Sequence, residues 1–138
     1  MFIKKLLKKL VCISLATALS FTAMLGVISC KAKTDFTVGI CQLTKHSALD
    51  KATQGFQDAL KEELAAAGKT VTIEFNQANN DPSSCATIVN TYVSRSVDLI
   101  LANATPALQA AVNATVTIPI LGTSVTDYGV ALGIDNFN

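Results

Sequence analysis

Gly39-Ile-Cys-Gln-Leu-Thr-Lys-His46 decides the fold of this chain. It begins inside the short apolar run Phe36 to Cys41, which has β-branched members and reads as a strand, and it breaks at Gln42 into a polar turn. Beyond the turn, Leu49, Ala52, Phe56, Leu60 and Leu64 recur at helical spacing while Lys51, Asp58, Lys61 and Glu62 face away, and Gly68 is expected to close that helix as a left-handed cap. A strand that runs through a turn into an amphipathic helix is the first half of a βαβ unit. The pattern then repeats. Val71, Ile73 and Phe75 alternate with Thr72, Glu74 and Asn76, giving a second strand with one drier face. Asp81-Pro82 opens a second helix, an N-cap followed by proline, with Cys85, Ile88, Val89, Tyr92 and Val93 as its buried stripe. Asp98 to Ala102 is the third strand. Thr105-Pro106 opens a third helix in the same way, Thr105 as N-cap, with Leu108, Ala111 and Val112 inward. Ile118 to Leu121 is the fourth strand, Gly122 to Gly129 a loop, and Val130 to Ile134 a fifth strand. Strands alternating with helices imply right-handed crossovers and a parallel sheet covered on both faces: an α/β three-layer sandwich, Rossmann-like or flavodoxin-like.

The N-terminus has a different character. Lys4, Lys5, Lys8 and Lys9 precede a stretch from Leu10 to Ile28 that is apolar apart from Ser14, Thr17, Ser20 and Thr22, the layout of a secretory signal. Val27-Ile-Ser-Cys30 resembles a relaxed bacterial lipobox, in which the cysteine is lipidated and becomes the new N-terminus; Ile28 departs from the small residue usual there. The rival is an uncleaved anchor, because an apolar stretch of this length at about 1.5 Å per residue nearly spans a bilayer core of about 30 Å. Both readings put the rest of the chain outside the cytoplasm and at the membrane. The division expected is residues 1–29 signal, 30–35 tether and 36–138 folded lobe.

Four of the 11 basic residues leave with the signal, so 7 remain against 10 acidic ones, a net of −3. Those that remain are scattered, which excludes a nucleic-acid footprint. With 15% charged residues and about 110 residues after the signal, the chain has enough apolar content for one domain with its own core. Cys41 and Cys85 are its thiols, one ending a strand and one in the first turn of a helix, and free buried thiols are favoured over a disulfide. No metal-ligand spacing is present, and one histidine cannot build such a site alone. Phosphate-binding glycine loops and the G-x-S-x-G elbow are absent. Cys41 and His46 can be drawn as nucleophile and base, but no third group orients them, so the residues favour binding over catalysis and no cofactor is expected.

Three segments fall where a strand runs into a turn or helix, the place where open α/β sheets hold their ligands: Gly39 to His46, Ala104-Thr-Pro-Ala107, and Pro119-Ile-Leu-Gly-Thr-Ser-Val-Thr-Asp-Tyr128. Together they resemble the solute-binding proteins of bacterial ABC importers, in particular those that bind tryptophan and related aromatic amino acids. The resemblance runs from about Phe36 to the last residue. It implies one lobe of a type I periplasmic-binding fold, the N-terminal one, with the second lobe missing. It also implies a small-molecule ligand, an ABC permease with its ATPase as partners, and a lipid anchor at Cys30. Gln42 and His46 match the family's Q-x-x-x-H spacing, the start of the helix at Thr105, Pro106 and Ala107 suits a ligand carboxylate, Thr126 lies in the hydroxyl-rich third segment, Asp127 suits an ammonium, and Tyr128 an aromatic ring. Each residue has a plainer reading. Gln42 can cap the sheet edge, His46 the next helix, Thr105 its own helix, and Asp127 its own turn. Beside the transport reading stand a stand-alone sensory lobe and a Rossmann-like hydrolase or transferase.

Overall fold

The computed structural model describes residues 34–134. The signal, Cys30 and most of the expected tether lie outside these residues, as do residues 135–138. Eight elements follow one another: β1 Phe36–Gln42, α1 Ser47–Ala66, β2 Val71–Gln77, α2 Pro82–Ser94, β3 Leu99–Asn103, α3 Thr105–Ala114, β4 Ile120–Thr123 and α4 Tyr128–Leu132. The strands form one parallel sheet in the order β2-β1-β3-β4. The expected α/β class, with its parallel sheet between helices, is what the chain adopts.

Period-two alternation sorts the side chains between two apolar layers. Val38 and Ile40 of β1 and Leu101 of β3 are buried on the face that carries Phe56 and Leu60 of α1. Cys41, Ile100 and Ala102 point the other way, into a larger cluster with Val89 and Tyr92 of α2 and Ala107, Leu108 and Ala111 of α3. Each fully buried large aliphatic of this kind contributes about 1.5–3 kcal/mol. Gly39 is required at the centre: a Cβ there would stand 2.6 Å from the Tyr92 ring. The ring lies flat against β1, and its hydroxyl shares its proton between the carbonyls of Ile40 at 2.8 Å and Glu74 at 3.0 Å. Cys41 and Cys85 are both free and buried, as expected, and burial pushes both thiols up.

Helix ends follow their local chemistry. Gly68, with φ 68°, closes α1, its N–H donating to the Ala65 carbonyl and that of Lys69 to Leu64, a paired C-terminal closure. Asp81 caps α2, accepting from the N–H groups of Ser83 and Ser84.

Four expectations need correction. Val130 to Ile134 is not a fifth strand. Asp127 Oδ1 accepts from the Val130 N–H at 2.9 Å and Gly133, at φ 64°, closes the turn, so Tyr128–Leu132 coils into α4 and sends Ala131 into the core. Thr105 is not the N-cap of α3. Ala104 holds that position, with no side-chain cap, and Thr105 is the first helical residue. The fourth strand begins at Ile120, because the Ile118 N–H is held by the Thr115 hydroxyl, outside the ladder. Phe75 also departs from its drier face: β2 is an edge strand, and Phe75 is 45% exposed.

Among the described residues no helix is long and apolar enough to cross a membrane, and no group of histidine, cysteine and carboxylate side chains is placed to hold a metal.

Candidate ligand site at the strand ends

The four strands finish in one row. Gln42 is in register with Gln77 on one side and Asn103 on the other, and Asn103 with Thr123. Every segment singled out in the sequence therefore leaves from the same edge of the sheet. Strand order reverses here: from β1 the chain moves to β2 by α1 on one face, then crosses to β3 by α2 on the other. Turns that leave β1 and β3 toward opposite faces open a crevice between them, the place where such sheets take ligands. Backbone bonds knit the row together, Leu43 N–H to the Asn103 carbonyl at 3.1 Å and Ala104 N–H to that of Thr123 at 3.0 Å.

His46 is exposed at the mouth of this edge. It caps α1, its Nδ1 accepting from the Ala48 N–H at 3.3 Å, which puts the ring proton on Nε2 as a donor. Gln42 is wholly buried and its hydrogen-bonding capacity is used up. Its Nε2 donates to the Thr44 carbonyl at 2.8 Å and to Asp50 Oδ1 at 2.6 Å, while Oε1 accepts from the Thr53 hydroxyl at 2.7 Å. In this arrangement Gln42 shapes the turn, and its amide is engaged within the protein.

The β3–α3 turn is strained. Ala104 has φ 98° and ψ 157°, a region used almost only by glycine and costing a β-carbon residue about 1–3 kcal/mol. Its carbonyl receives the first helical bond, from Leu108. The N–H and hydroxyl of Thr105 precede that bond and belong to no cap. Thr105 and Pro106 are half-buried; Ala107 is fully buried among the core residues, so it packs the turn and does not face outward.

In the third segment Thr126 and Asp127 are exposed, and Asp127 caps α4 through Oδ1. Tyr128 folds back onto β4, its hydroxyl donating to the Gly122 carbonyl at 2.7 Å with its ring over that glycine, where a Cβ would lie 2.9 Å from Cε1. The arrangement brings His46, Thr105 and Pro106, and Thr126 and Asp127 to one edge, and turns Gln42, Ala107 and Tyr128 to structural work. The sequence reading missed Thr53, Asp50 and Asn103. An asparagine closing an apolar run after Leu99-Ile-Leu-Ala102 was the one available signal. An open cleft of about 290 Å³ between α1 and β2 is lined by Gln42, Asp50, Thr53, Gln54, Gln57 and Phe75. It borders the Gln42–Thr53 pair and contains none of the outward-facing candidates.

Residues 37–138 match the sequence pattern of the family described as ABC transporter substrate binding protein. The chain belongs to this family. It is 46% identical over 90 residues to the tyrosine-binding protein of Clostridioides difficile strain R20291, a match covering 65% of this chain and 26% of that one. Among solved structures it is similar to the ligand-free, open form of a substrate-binding protein with adhesive properties from Clostridium difficile, at 42% identity and a TM-score of 0.65 over 70% of this chain and 32% of the other. A Streptococcus pneumoniae ABC domain in complex with L-tryptophan matches at 33% identity and a TM-score of 0.63, again over 70% and 32%. The matched part thus spans about a quarter to a third of the length of these relatives.

Proposed function

We propose that residues 36–138 form the N-terminal ligand-binding lobe of a two-lobed solute-binding protein that captures an aromatic amino acid, tyrosine or tryptophan, and delivers it to an ABC permease driven by its ATPase. The observation that carries this reading is the meeting of the β1–α1 and β3–α3 turns at the strand-order reversal, with an uncapped helix start facing outward. The uncapped N–H and the hydroxyl of Thr105 suit a carboxylate at the positive end of α3, and His46 Nε2–H is a second donor. The free carboxylate oxygen of Asp127 and the Thr126 hydroxyl suit an ammonium. No bond is made or broken; the second lobe closes over the first by a hinge motion. Tyrosine and tryptophan are favoured because they are the ligands named for two of the similar proteins. In this reading residues 1–29 export the chain, residues 30–35 tether it, and a lipid on Cys30 holds it at the outer side of the membrane.

Calorimetric titration of the two-lobed polypeptide with L-tyrosine, L-tryptophan and L-isoleucine tests the ligand. Micromolar binding of either aromatic amino acid, and much weaker binding of isoleucine, is expected; a preference for isoleucine overturns the aromatic assignment. For the anchor, the wild type should partition with the membrane fraction into detergent and Cys30→Ser should block lipid-dependent processing; a mature N-terminus found elsewhere with no lipid mass would remove Cys30 from the account.

A further inference from the structure

Along the face of the sheet that packs on α1, Val38 pairs with Leu99, Ile40 with Leu101, and Gln42 with Asn103. Two apolar rows are followed by a row of amides that is just as deeply buried, Gln42 and Asn103 both at 0% exposure, with Thr53 of α1 above them at 4%. Asn103 Nδ2 lies 2.9 Å from the Thr53 hydroxyl, 2.9 Å from the Leu49 carbonyl and 3.4 Å from Gln42 Oε1. Thr53 donates to Gln42, and Gln42 to Thr44 and Asp50. These bonds connect residue 103, next to the strained Ala104, to the polar turn after β1 and to the first two turns of α1.

For stability alone the arrangement is a poor choice. Buried polar groups lose their hydration, and replacing a mutually bonded set by apolar side chains of the same shape is often neutral or better. Here the set also leaves an acceptor, Asn103 Oδ1, buried with no partner among the described residues. What the amides supply and an apolar row cannot is direction: each bond has a fixed length and angle, and together they set the two turns at one separation. We infer that Gln42, Thr53 and Asn103 are positioning residues that lock the β1–α1 turn to the β3–α3 turn, so that His46 and Thr105 are presented to the ligand as one rigid unit. The inference rests on the reading of those turns as the ligand site.

The test is hydrogen exchange on the full chain, purified in detergent, comparing Thr53→Val, which keeps the shape, with Thr53→Ser, which keeps the hydroxyl, and with Asn103→Leu as an independent break. Amides of residues 43–50 and, some fifty positions away in sequence, of residues 104–108 are expected to exchange about tenfold faster in Thr53→Val and Asn103→Leu. Thr53→Ser should stay near wild type, and α2 should be unaffected in all three. Faster exchange confined to α1, or an equal rise across all elements including α2, would overturn the coupling. Placed in the two-lobed polypeptide, Thr53→Val should weaken L-tyrosine or L-tryptophan binding about tenfold and Thr53→Ser should restore it; unchanged affinity in Thr53→Val overturns the positioning role. Should the wild-type polypeptide bind neither amino acid, the proposed function fails, and the exchange comparison still decides whether the turns are coupled.

Discussion

The Thr105 hydroxyl caps no helix, since Ala104 occupies the cap position. Its removal therefore separates binding from stability. In the two-lobed polypeptide, Thr105→Ala should weaken aromatic amino-acid binding tenfold to a hundredfold, as expected for a charge-assisted hydrogen bond worth about 1.5–3 kcal/mol. Folding stability should change by less than about 0.5 kcal/mol, the usual range away from caps and core. Melting temperature and affinity measured on the same protein decide it: a lower melting temperature with intact affinity would mean that Thr105 is structural after all. The neighbouring candidates differ in what the sequence allowed one to read. His46 and Asp127 are helix caps that also stand exposed; the cap role of His46 was available from its position before α1, whereas Asp127 was expected to hold its own turn and becomes a helix cap only because residues 128–132 coil. Gln42 looks identical in sequence to a ligand-binding glutamine; only its contacts with Thr53 and Asp50, eleven and eight residues away, show that its amide is taken.

At the scale of elements, α2 carries a built-in acid response. The Ser83 and Ser84 hydroxyls, followed by their N–H groups, hold the Asp81 carboxyl at about 2, below its ordinary 3.8. A carboxyl depressed in the folded state stabilises above its unfolded pKa, and that contribution is lost as pH falls through the folded value. The melting temperature of the wild type should accordingly decline between about pH 4 and pH 2. Asp81→Asn keeps a capping oxygen but cannot titrate, so its decline over this window should be shallower; the remaining slope comes in part from Asp35, which Thr70 lowers in the same direction. Parallel curves for the two proteins would refute the role of Asp81. The β1–α2 contact has a different sensitivity. Gly39→Ala places a methyl against the Tyr92 ring, and the overpacking should cost about 1–3 kcal/mol in denaturant unfolding with no change of slope. A loss under about 0.5 kcal/mol would show that the ring moves aside freely.

For the whole molecule, the site at the strand ends is one open face. In the proposed mode a ligand there would meet donors from the β1–α1 and β3–α3 turns and acceptors from the segment before α4, and would be covered from one side only. Association still costs several kcal/mol of lost freedom. The 138-residue chain by itself should therefore bind L-tyrosine and L-tryptophan only feebly, beyond the reach of a micromolar titration; tight binding by this chain alone would contradict the two-lobed reading. The larger plan was legible along the chain. Period-two and helical spacings of apolar residues separated strands from helices, and Gly68, Asp81 and Pro82 marked ends correctly, because these signals act over a few neighbouring residues. Strand order, the assignment of α1 and α2 to opposite faces, the coiling of Val130 to Leu132 where an apolar run read as a strand, and the buried Gln42–Thr53–Asn103 cluster were decided by tertiary structure. The physical reason is common to all four. A short apolar run becomes a strand only if a neighbouring strand is in reach of its backbone, and a polar side chain is a ligand donor or an internal strut according to partners that lie up to sixty-one residues away in sequence.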